Sequence, residues 1–137
     1  MRYLLDTNIC IYIAKQQPAA VQARFRRLQP GDLGMSIVTY LELVYGAWKS
    51  QRAEANLAVI EQLRLSVPVL PLDVAVATDY GRLRAELERK GSPIGGHDLL
   101  IAAHALSLGL ILVTNNVREF SRVARLRLEN WAVPGDR

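Results

Sequence analysis

Tyr3-Leu4-Leu5-Asp6-Thr7-Asn8, close to the start of the chain, is the stretch that decides the fold. Its first half is a short apolar run, and its second half consists of three residue types that are favoured at the N-caps of helices. This order predicts a buried strand over residues 3–5 that leads directly into a helix over residues 9–15. A buried strand followed at once by a helix is the repeating unit of an α/β fold.

The rest of the chain repeats this alternation of apolar runs and helical periodicity. Strands are predicted over residues 33–35, 67–72 and 110–113 and within 126–131, and helices over 19–28, 36–50, 53–65, 73–90 and 98–108. Strands separated by helices need crossover connections, so the pattern predicts a mainly parallel sheet flanked by helices on both faces. The prolines of 67–72 predict a strand near a sheet edge. A length of 137 residues leaves room for one domain, spanning 1–137.

The composition is typical of a compact protein without a membrane anchor. Half of the residues are hydrophobic and 22% are charged, which excludes an intrinsically disordered chain. No apolar stretch reaches the roughly 18 to 20 residues that cross a bilayer, and Asp6 interrupts the apolar run that a signal peptide would need. We therefore expect a cytoplasmic protein. The single cysteine, Cys10, cannot form an internal disulfide, and its apolar neighbours predict a small buried side chain.

The charge balance favours a phosphate-rich partner. The chain has 17 Lys and Arg against 13 Asp and Glu, which gives a net charge of +4 and a pI near 9.6. Most of the cations are arginines, whose planar guanidinium groups match phosphate oxygens in bidentate geometry. The arginines cluster over 24–27, 82–90 and 118–127. Each cluster taken singly is more typical of a solvated helix face, so charge alone does not identify the partner.

Three acidic residues occupy unusual positions in this pattern. Asp6 follows a buried strand, Glu42 lies within an apolar helix, and Asp98 begins an almost wholly apolar helix. A carboxylate in such surroundings is costly unless it is paired, and a hard cation such as Mg²⁺ or Mn²⁺ would pair it through oxygen ligands. Functional groups of open α/β sheets gather beyond the carboxyl ends of strands. We expect both Asp6 and the triplet Thr114-Asn115-Asn116 to lie there.

Each of these acids also has a simpler interpretation as a helix-capping residue. Asp6 would cap the first helix, and Asp98 would cap the helix that follows Gly96. Glu42 would complete a capping box with Thr39. Capping alone gives no reason for acids to recur next to strand ends, whereas a metal site does. Both interpretations stay open on the sequence.

A fourth acid and two histidines complete the candidates. Glu119 follows the last central strand, where it would supply either a further carboxylate or a surface ion pair beside Arg118. His97 would reach a substrate from the head of its helix. His104 lies in an apolar stretch, which predicts a core or interface histidine. One cysteine and two histidines cannot supply a structural zinc site of standard spacing, which argues against zinc.

Four patterns together resemble the successive signatures of PIN-domain ribonucleases, in particular the VapC toxins of bacterial toxin–antitoxin pairs. They are Leu5-Asp6-Thr7-Asn8, Ser36-x-x-Thr39-x-x-Glu42-Leu43-x-x-Gly46, Gly95-x-x-Asp98-x-x-Ile101-Ala102-x-x-Ala105 and Val113-Thr114-Asn115-Asn116-x-x-Glu119-Phe120. The patterns follow the family's order and span almost the whole chain. A lone Asp-Thr-Asn carries little weight, whereas four ordered motifs at these spacings are a strong resemblance.

The resemblance implies a PIN-like fold and a Mg²⁺- or Mn²⁺-dependent endoribonuclease, with tRNA the expected substrate and inhibition of translation the outcome. Carried over by position, Asp6 and Asp98 match the metal-binding acids of the family, and Glu42 matches the third member of the catalytic acidic cluster. The polar residues that support the cluster are matched by Thr7, Asn8, Thr114 and Asn116.

One position departs from the family's pattern. Many PIN domains have Asp where this chain has Asn116, which leaves the fourth acidic role open. Members similar to this chain share the Asn-Asn-x-x-Glu-Phe variant. Glu119 is therefore our candidate for the missing catalytic charge.

The resemblance also implies protein partners. A VapC-like chain is expected to bind a small VapB-type antitoxin that blocks the acidic cleft, and to form homodimers and toxin–antitoxin hetero-oligomers. The candidate contact residues on one helix are Tyr40, Val44, Tyr45 and Trp48, although core packing is the more ordinary explanation of such a stripe.

Two rival functions are weighed against the nuclease. A degenerate PIN fold would bind RNA or protein without cutting, but the intact Asp6, Glu42 and Asp98 speak against it. A phosphotransfer enzyme would use Asp6 as a covalent nucleophile. Such enzymes usually need a second acid beside the nucleophile, and Thr7-Asn8 does not supply one.

Overall fold

The computed structural model describes residues 1–133, so the predicted domain's last four positions, 134–137, lie outside the described residues. The strands are β1 (Tyr3–Leu5), β2 (Leu33–Ser36), β3 (Val69–Leu70), β4 (Ile111–Val113) and β5 (Leu128–Glu129). The helices are α1 (Thr7–Lys15), α2 (Ala19–Arg26), α3 (Ile37–Lys49), α4 (Ala53–Ser66), α5 (Val76–Arg89), α6 (Gly96–Leu108) and α7 (Val117–Phe120). A short 3₁₀ helix, Pro30–Asp32, precedes β2. The predicted α/β alternation is confirmed.

The strands form one five-stranded sheet in the order β3-β2-β1-β4-β5, and every neighbouring pair is parallel. β1 occupies the centre, with Leu5 in register with Met35 of β2 and with Val113 of β4. The three central strands therefore end at the same edge. The strand order reverses beside β1, which is where ligands bind in open α/β sheets.

Helices cover both faces of the sheet, as predicted. Leu4 and Leu5 are both fully buried but face opposite sides, because successive side chains of a strand alternate. Leu5 packs in a core with α1, α3 and α4, whereas Leu4 packs in a second core with α5 and α6. Cys10 is buried in the first core, as its neighbours predicted.

One local prediction is refined by the structure. The strand predicted over 67–72 is shorter, Val69–Leu70, and forms an edge of the sheet. Its flanking residues, Pro68 and Pro71, have no backbone N–H to donate to a strand ladder. Gly109 ends α6 in a left-handed conformation with φ of 67°, which is a common helix terminus for glycine. Within residues 1–133, no helix is long and apolar enough to cross a membrane.

Candidate active site at the carboxyl edge of the sheet

Asp6 lies at the carboxyl end of the central strand and is only 5% exposed. Its Oδ1 accepts a hydrogen bond from the backbone N–H of Ile9 at 3.0 Å, so it is the N-cap of α1. Its Oδ2 accepts a hydrogen bond from the hydroxyl of Thr114, the residue that follows β4. The capping interpretation of Asp6 is therefore confirmed, and the same carboxylate also faces the neighbouring strand end.

Burial makes Asp6 a weak acid. Its pKa is raised from the ordinary 3.8 to about 6, chiefly by desolvation and to a smaller extent by the nearby Glu42 charge. The hydrogen bonds from Thr114 and from the backbone of α1 oppose this rise, because they stabilise the charged form. A divalent cation would favour the same ionised form far more strongly.

Glu42 faces the site from the second turn of α3. The predicted capping box with Thr39 is wrong, because Ser36 caps this helix by accepting from the N–H of Val38 at 3.1 Å. The Glu42 carboxylate instead accepts a hydrogen bond from the Thr7 hydroxyl at 2.6 Å. The side chain thus links α3 to the start of α1.

Asp98 lies in the first turn of α6. The prediction that it caps this helix is wrong, because Gly95 occupies the N-cap position and no side chain caps it there. Burial is the main reason that the Asp98 pKa rises from 3.8 to about 7, followed by Glu119, with smaller effects of the Asp6 and Glu42 charges. These four carboxyl groups therefore influence one another at a single edge of the sheet.

Glu119, on α7, closes the site from the other side. Its Oε1 accepts from the backbone N–H of Gly95 at 2.9 Å, and its Oε2 accepts from the Asn116 side-chain amide at 3.0 Å. The pKa of Glu119 is lowered, chiefly by the Gly95 N–H. A proton shared with Asp98 therefore resides on Asp98. The predicted surface ion pair is wrong for the described part of the chain, where no ion pair includes Glu119.

A chain of hydrogen bonds connects the strand end to α7. Thr114 donates its hydroxyl proton to Asp6 and accepts from the backbone N–H of Asn116 at 2.9 Å. The Asn116 amide then holds Glu119. Thr114 is fully buried, so its two bonds fix the hydroxyl between a carboxylate and the backbone.

Asn8 contributes to the site differently from the other polar residues. Its backbone N–H helps to lower the pKa of Asp6. Its side chain contacts the Asn115 side chain, with Asn8 Nδ2 and Asn115 Oδ1 3.5 Å apart. Asn115 in turn donates to the Tyr12 hydroxyl at 2.7 Å. The Asn8 side chain therefore supports the loop after β4.

A family model described as the PIN domain matches residues 3–126, most of the chain. The chain belongs to the PIN-domain family. It is 53% identical over 132 residues to the tRNA(fMet)-specific endonuclease VapC of Shigella flexneri, an alignment that covers 96% of this chain and 99% of that protein. The predicted resemblance to VapC ribonucleases is thereby confirmed.

Solved structures share the architecture of this PIN domain. The DNA-bound VapBC from Salmonella typhimurium has a TM-score of 0.90 and 45% identity, covering 96% of this chain and 98% of that one. VapBC-1 from nontypeable Haemophilus influenzae has a TM-score of 0.89 and 43% identity, covering 97% of this chain and 100% of that one. The PIN-like fold predicted from the sequence is confirmed.

The donor set of the PIN domain fits a hard divalent cation. Within residues 1–133, no group of three or more His, Cys, Asp or Glu side chains forms a ready-made ion cage. Asp6 and Asp98 nevertheless offer carboxylate oxygens at one edge of the sheet, and the pKa values of both groups are raised, chiefly by burial. Mg²⁺ is usually held by one or two carboxylates, with water and substrate phosphate completing its octahedron. Two such acids suit this mode of binding.

Two contributors to the site were not predicted from the sequence. The Gly95 N–H binds Glu119, and a Cβ at Gly95 would lie 3.8 Å from Glu119 Oε1 and 4.0 Å from Asp98 Oδ2. The signal was present, because Gly95-Gly96 precedes an apolar helix whose N-terminus attracts carboxylates. The second is Thr39, whose hydroxyl lies 3.4 Å from that of Thr7.

The two histidines of the PIN domain differ in their surroundings. His97 is largely exposed, and its Nδ1 lies 3.0 Å from Glu42 Oε2 at the rim of the site. His104 is buried, as predicted, with Nδ1 2.8 Å from the Ser36 hydroxyl. Burial lowers the pKa of His104, which favours a neutral ring. His104 therefore joins α6 to the cap of α3.

Proposed function

We propose that this PIN domain is the ribonuclease of a toxin–antitoxin pair, which cleaves initiator tRNA in the cytoplasm and thereby inhibits translation. The observation that carries the proposal is the meeting of Asp6, Glu42, Asp98 and Glu119 at one sheet edge. The proposed substrate is supported by a relative, 53% identical to this chain, that is named a tRNA(fMet)-specific endonuclease.

Asp6 and Asp98 would hold Mg²⁺, and Mn²⁺ would serve in its place. When bound, the ion supplies charge stabilisation to a phosphodiester and lowers the pKa of bound water. Without it, the carboxylates repel one another and the RNA backbone, since like charges raise each other's pKa and disfavour a further anion. The metal-free protein is therefore expected to be inactive.

The chain's own residues position the reactants. Glu42 is the proposed proton acceptor for the attacking water, because its side chain is 29% exposed at the rim and its carboxylate is oriented by Thr7. Thr114 holds the second oxygen of Asp6 in place. Glu119 fixes the start of α6, and hence Asp98, through the Gly95 N–H. Pre-organised groups of this kind lower the barrier because little reorganisation is needed during reaction.

A VapB-type antitoxin and a second copy of the chain are the proposed protein partners. The four residues predicted to contact a partner from one helix differ in their exposure. Tyr40 and Val44 pack against the first core, whereas Tyr45 and Trp48 are 65% and 66% exposed. Leu41, one turn before Tyr45, is 60% exposed. These three exposed side chains form the α3 face, which leaves an apolar surface available to a partner.

The decisive experiment measures cleavage of purified initiator tRNA by the Asp98→Asn and Asp6→Asn variants. Wild-type protein should cut with Mg²⁺ and not with EDTA, and either variant should lose at least about 100-fold in rate, in the range seen when a key transition-state contact is removed. Glu54→Gln, an exposed acid on α4, is the matched control and should cut normally. A folded Asp98→Asn protein that cuts at the wild-type rate would defeat the assignment. Binding without cutting by the wild type would favour the degenerate module.

A further inference from the structure

We propose that a cleft between α5 and α6 binds one nucleobase of the RNA beside the scissile phosphate. The inference rests on the proposed ribonuclease function and adds to it a site for recognising the substrate. The cleft has a volume of about 260 Å³ and is lined in part by Tyr80, Arg84, Glu88, Pro93, Ile94 and Gly96. This volume is below the roughly 300 Å³ at which sites for drug-sized ligands begin, so a single flat ring is the fitting occupant.

The cleft offers a fixed aromatic surface. Tyr80 is half-buried, and its hydroxyl accepts a hydrogen bond from Arg84 Nη1 at 3.0 Å. The Nε of Arg84 donates to Glu88 Oε2, also at 3.0 Å. Unpaired RNA bases stack on tyrosine rings and on guanidinium planes. The contact between Arg84 and the Tyr80 hydroxyl places the guanidinium and the ring beside each other in the cleft.

The charges of the cleft favour a base over a phosphate. Glu88 brings a carboxylate that offsets the Arg84 cation, so the cleft has no excess positive charge to attract a phosphate. A neutral base carries both donors and acceptors on its edge, and these match the carboxylate and the guanidinium. The apolar walls of Pro93 and Ile94 suit the face of the ring.

The cleft lies next to the acidic cluster. Pro93, Ile94 and Gly96 line it, and the residue between them, Gly95, donates its N–H to Glu119. Arg122 donates to the Pro93 carbonyl at 2.8 Å and holds this wall in place. A Cβ at Gly95 would lie 3.8 Å from Glu119 Oε1 and 4.0 Å from Asp98 Oδ2, so the loop that forms this wall also touches the acidic cluster. A splayed-out base next to the scissile phosphate would therefore face the cleft.

The test compares wild type and Tyr80→Ala on a set of RNA hairpins. One hairpin is intact, and each of the others has an abasic nucleotide on one side or the other of the cut bond. For wild type, removing the base that occupies the cleft should lower kcat/KM by about 5- to 150-fold, the value of one stacked base. On the intact hairpin, Tyr80→Ala should lower kcat/KM by a similar factor. On the hairpin that lacks the base in the cleft, the substitution should lower kcat/KM little further. Such non-additivity identifies a direct contact. Equal losses on both hairpins would overturn the proposal.

The controls separate the cleft from folding, from self-association and from the nuclease assignment. Tyr40→Ala removes a tyrosine whose hydroxyl also pairs with a charged side chain, Glu61, and should not distinguish the hairpins. Glu88→Gln, on an exposed side chain, should fold normally and change the preference among bases at that one position.

A wild type that cuts neither hairpin would refute the ribonuclease function and the cleft proposal with it. Loss of dimers in Tyr80→Ala, measured by light scattering, would assign the cleft to a second copy and overturn the proposal.

Discussion

Asp6 caps a helix in a way that leaves room for the proposed metal ion, so the two roles that looked like alternatives in the sequence are compatible. A carboxylate has two oxygens and about four acceptor positions, so one side chain has capacity for several partners. In the structure, Oδ1 caps α1 and Oδ2 meets the Thr114 hydroxyl. Acceptor positions remain for a cation. The motif therefore specified where Asp6 lies, but its contact with a residue 108 positions away could not be read from local pattern.

The metal-free protein should become less stable as the pH rises from about 4 to about 7. The folded-state pKa of Asp6 is about 6 against an ordinary 3.8, so in this window the folded chain binds more protons than the unfolded chain. The stabilisation that protonated Asp6 provides is complete below about pH 4 and is lost as the pH rises through the folded-state pKa. The difference between the two pKa values of this buried group corresponds to about 3 kcal/mol of unfolding free energy.

Urea unfolding in EDTA across that pH window measures the effect. Because other acids titrate in the same range, the informative quantity is the difference between wild type and Asp6→Asn, which should change by up to about 3 kcal/mol. Excess Mg²⁺ should restore wild-type stability near neutral pH, since a ligand that binds only the folded state stabilises it. A wild type that gains stability relative to Asp6→Asn as the pH rises would contradict the prediction.

At the scale of elements, the start of α6 is held by a residue of α7. Glu119 and Gly95 are 24 residues apart, and their hydrogen bond replaces a local side-chain cap. The glycines before this apolar helix signalled that a carboxylate would be attracted there, but capping rules consider only neighbouring residues and could not identify Glu119. Local rules also offered capping roles for Glu42 and Asp98, whereas in the structure the N-cap positions belong to Ser36 and Gly95. The helices themselves followed from periodicity.

Asn116→Asp tests this connection between the elements. The substitution replaces an amide donor, 3.0 Å from Glu119 Oε2, by a second carboxylate. Repulsion should free Glu119 from Gly95 and lower the free energy of unfolding in EDTA by about 1 to 3 kcal/mol, and Mg²⁺ should recover most of it. Chemical denaturation with and without Mg²⁺ provides the measurement.

The matched control is Asn56→Asp, which loses an amide donor to the Ser50 hydroxyl on the surface, away from the acidic cluster. It should lose less stability, and Mg²⁺ should not change that loss. If Asn116→Asp loses no more unfolding free energy than this control and responds to Mg²⁺ in the same way, the amide of Asn116 has no special role in holding Glu119.

At the scale of the whole molecule, the sheet brings the candidate residues together. β1 lies between β2 and β4, so the residues after each of these strands meet at one edge. The sequence predicted this meeting, since parallel strands with helical crossovers leave few alternatives. It did not predict the cleft beside α5, because the residues that form it carry no motif.

The α3 face predicts self-association. Trp48→Glu should weaken dimers of the chain by at least about 10-fold, since an exposed aromatic at the centre of an interface contributes about 2 kcal/mol or more. Its folding stability should hardly change, because the Trp48 side chain is 66% exposed. Sedimentation equilibrium measures the dissociation constant. The control is Leu65→Glu, a residue 68% exposed on α4, which should leave dimers intact.

The position of β1 between β2 and β4 also has a consequence for synthesis of the protein. Asp6 leaves the ribosome near the start of translation. Asp98, Thr114 and Glu119 are added only in the last third of the chain. A nascent chain, or a fragment from an early stop codon, has no β4 to place beside β1. With the proposed site residues, the nuclease is therefore expected to stay inactive until synthesis is nearly finished.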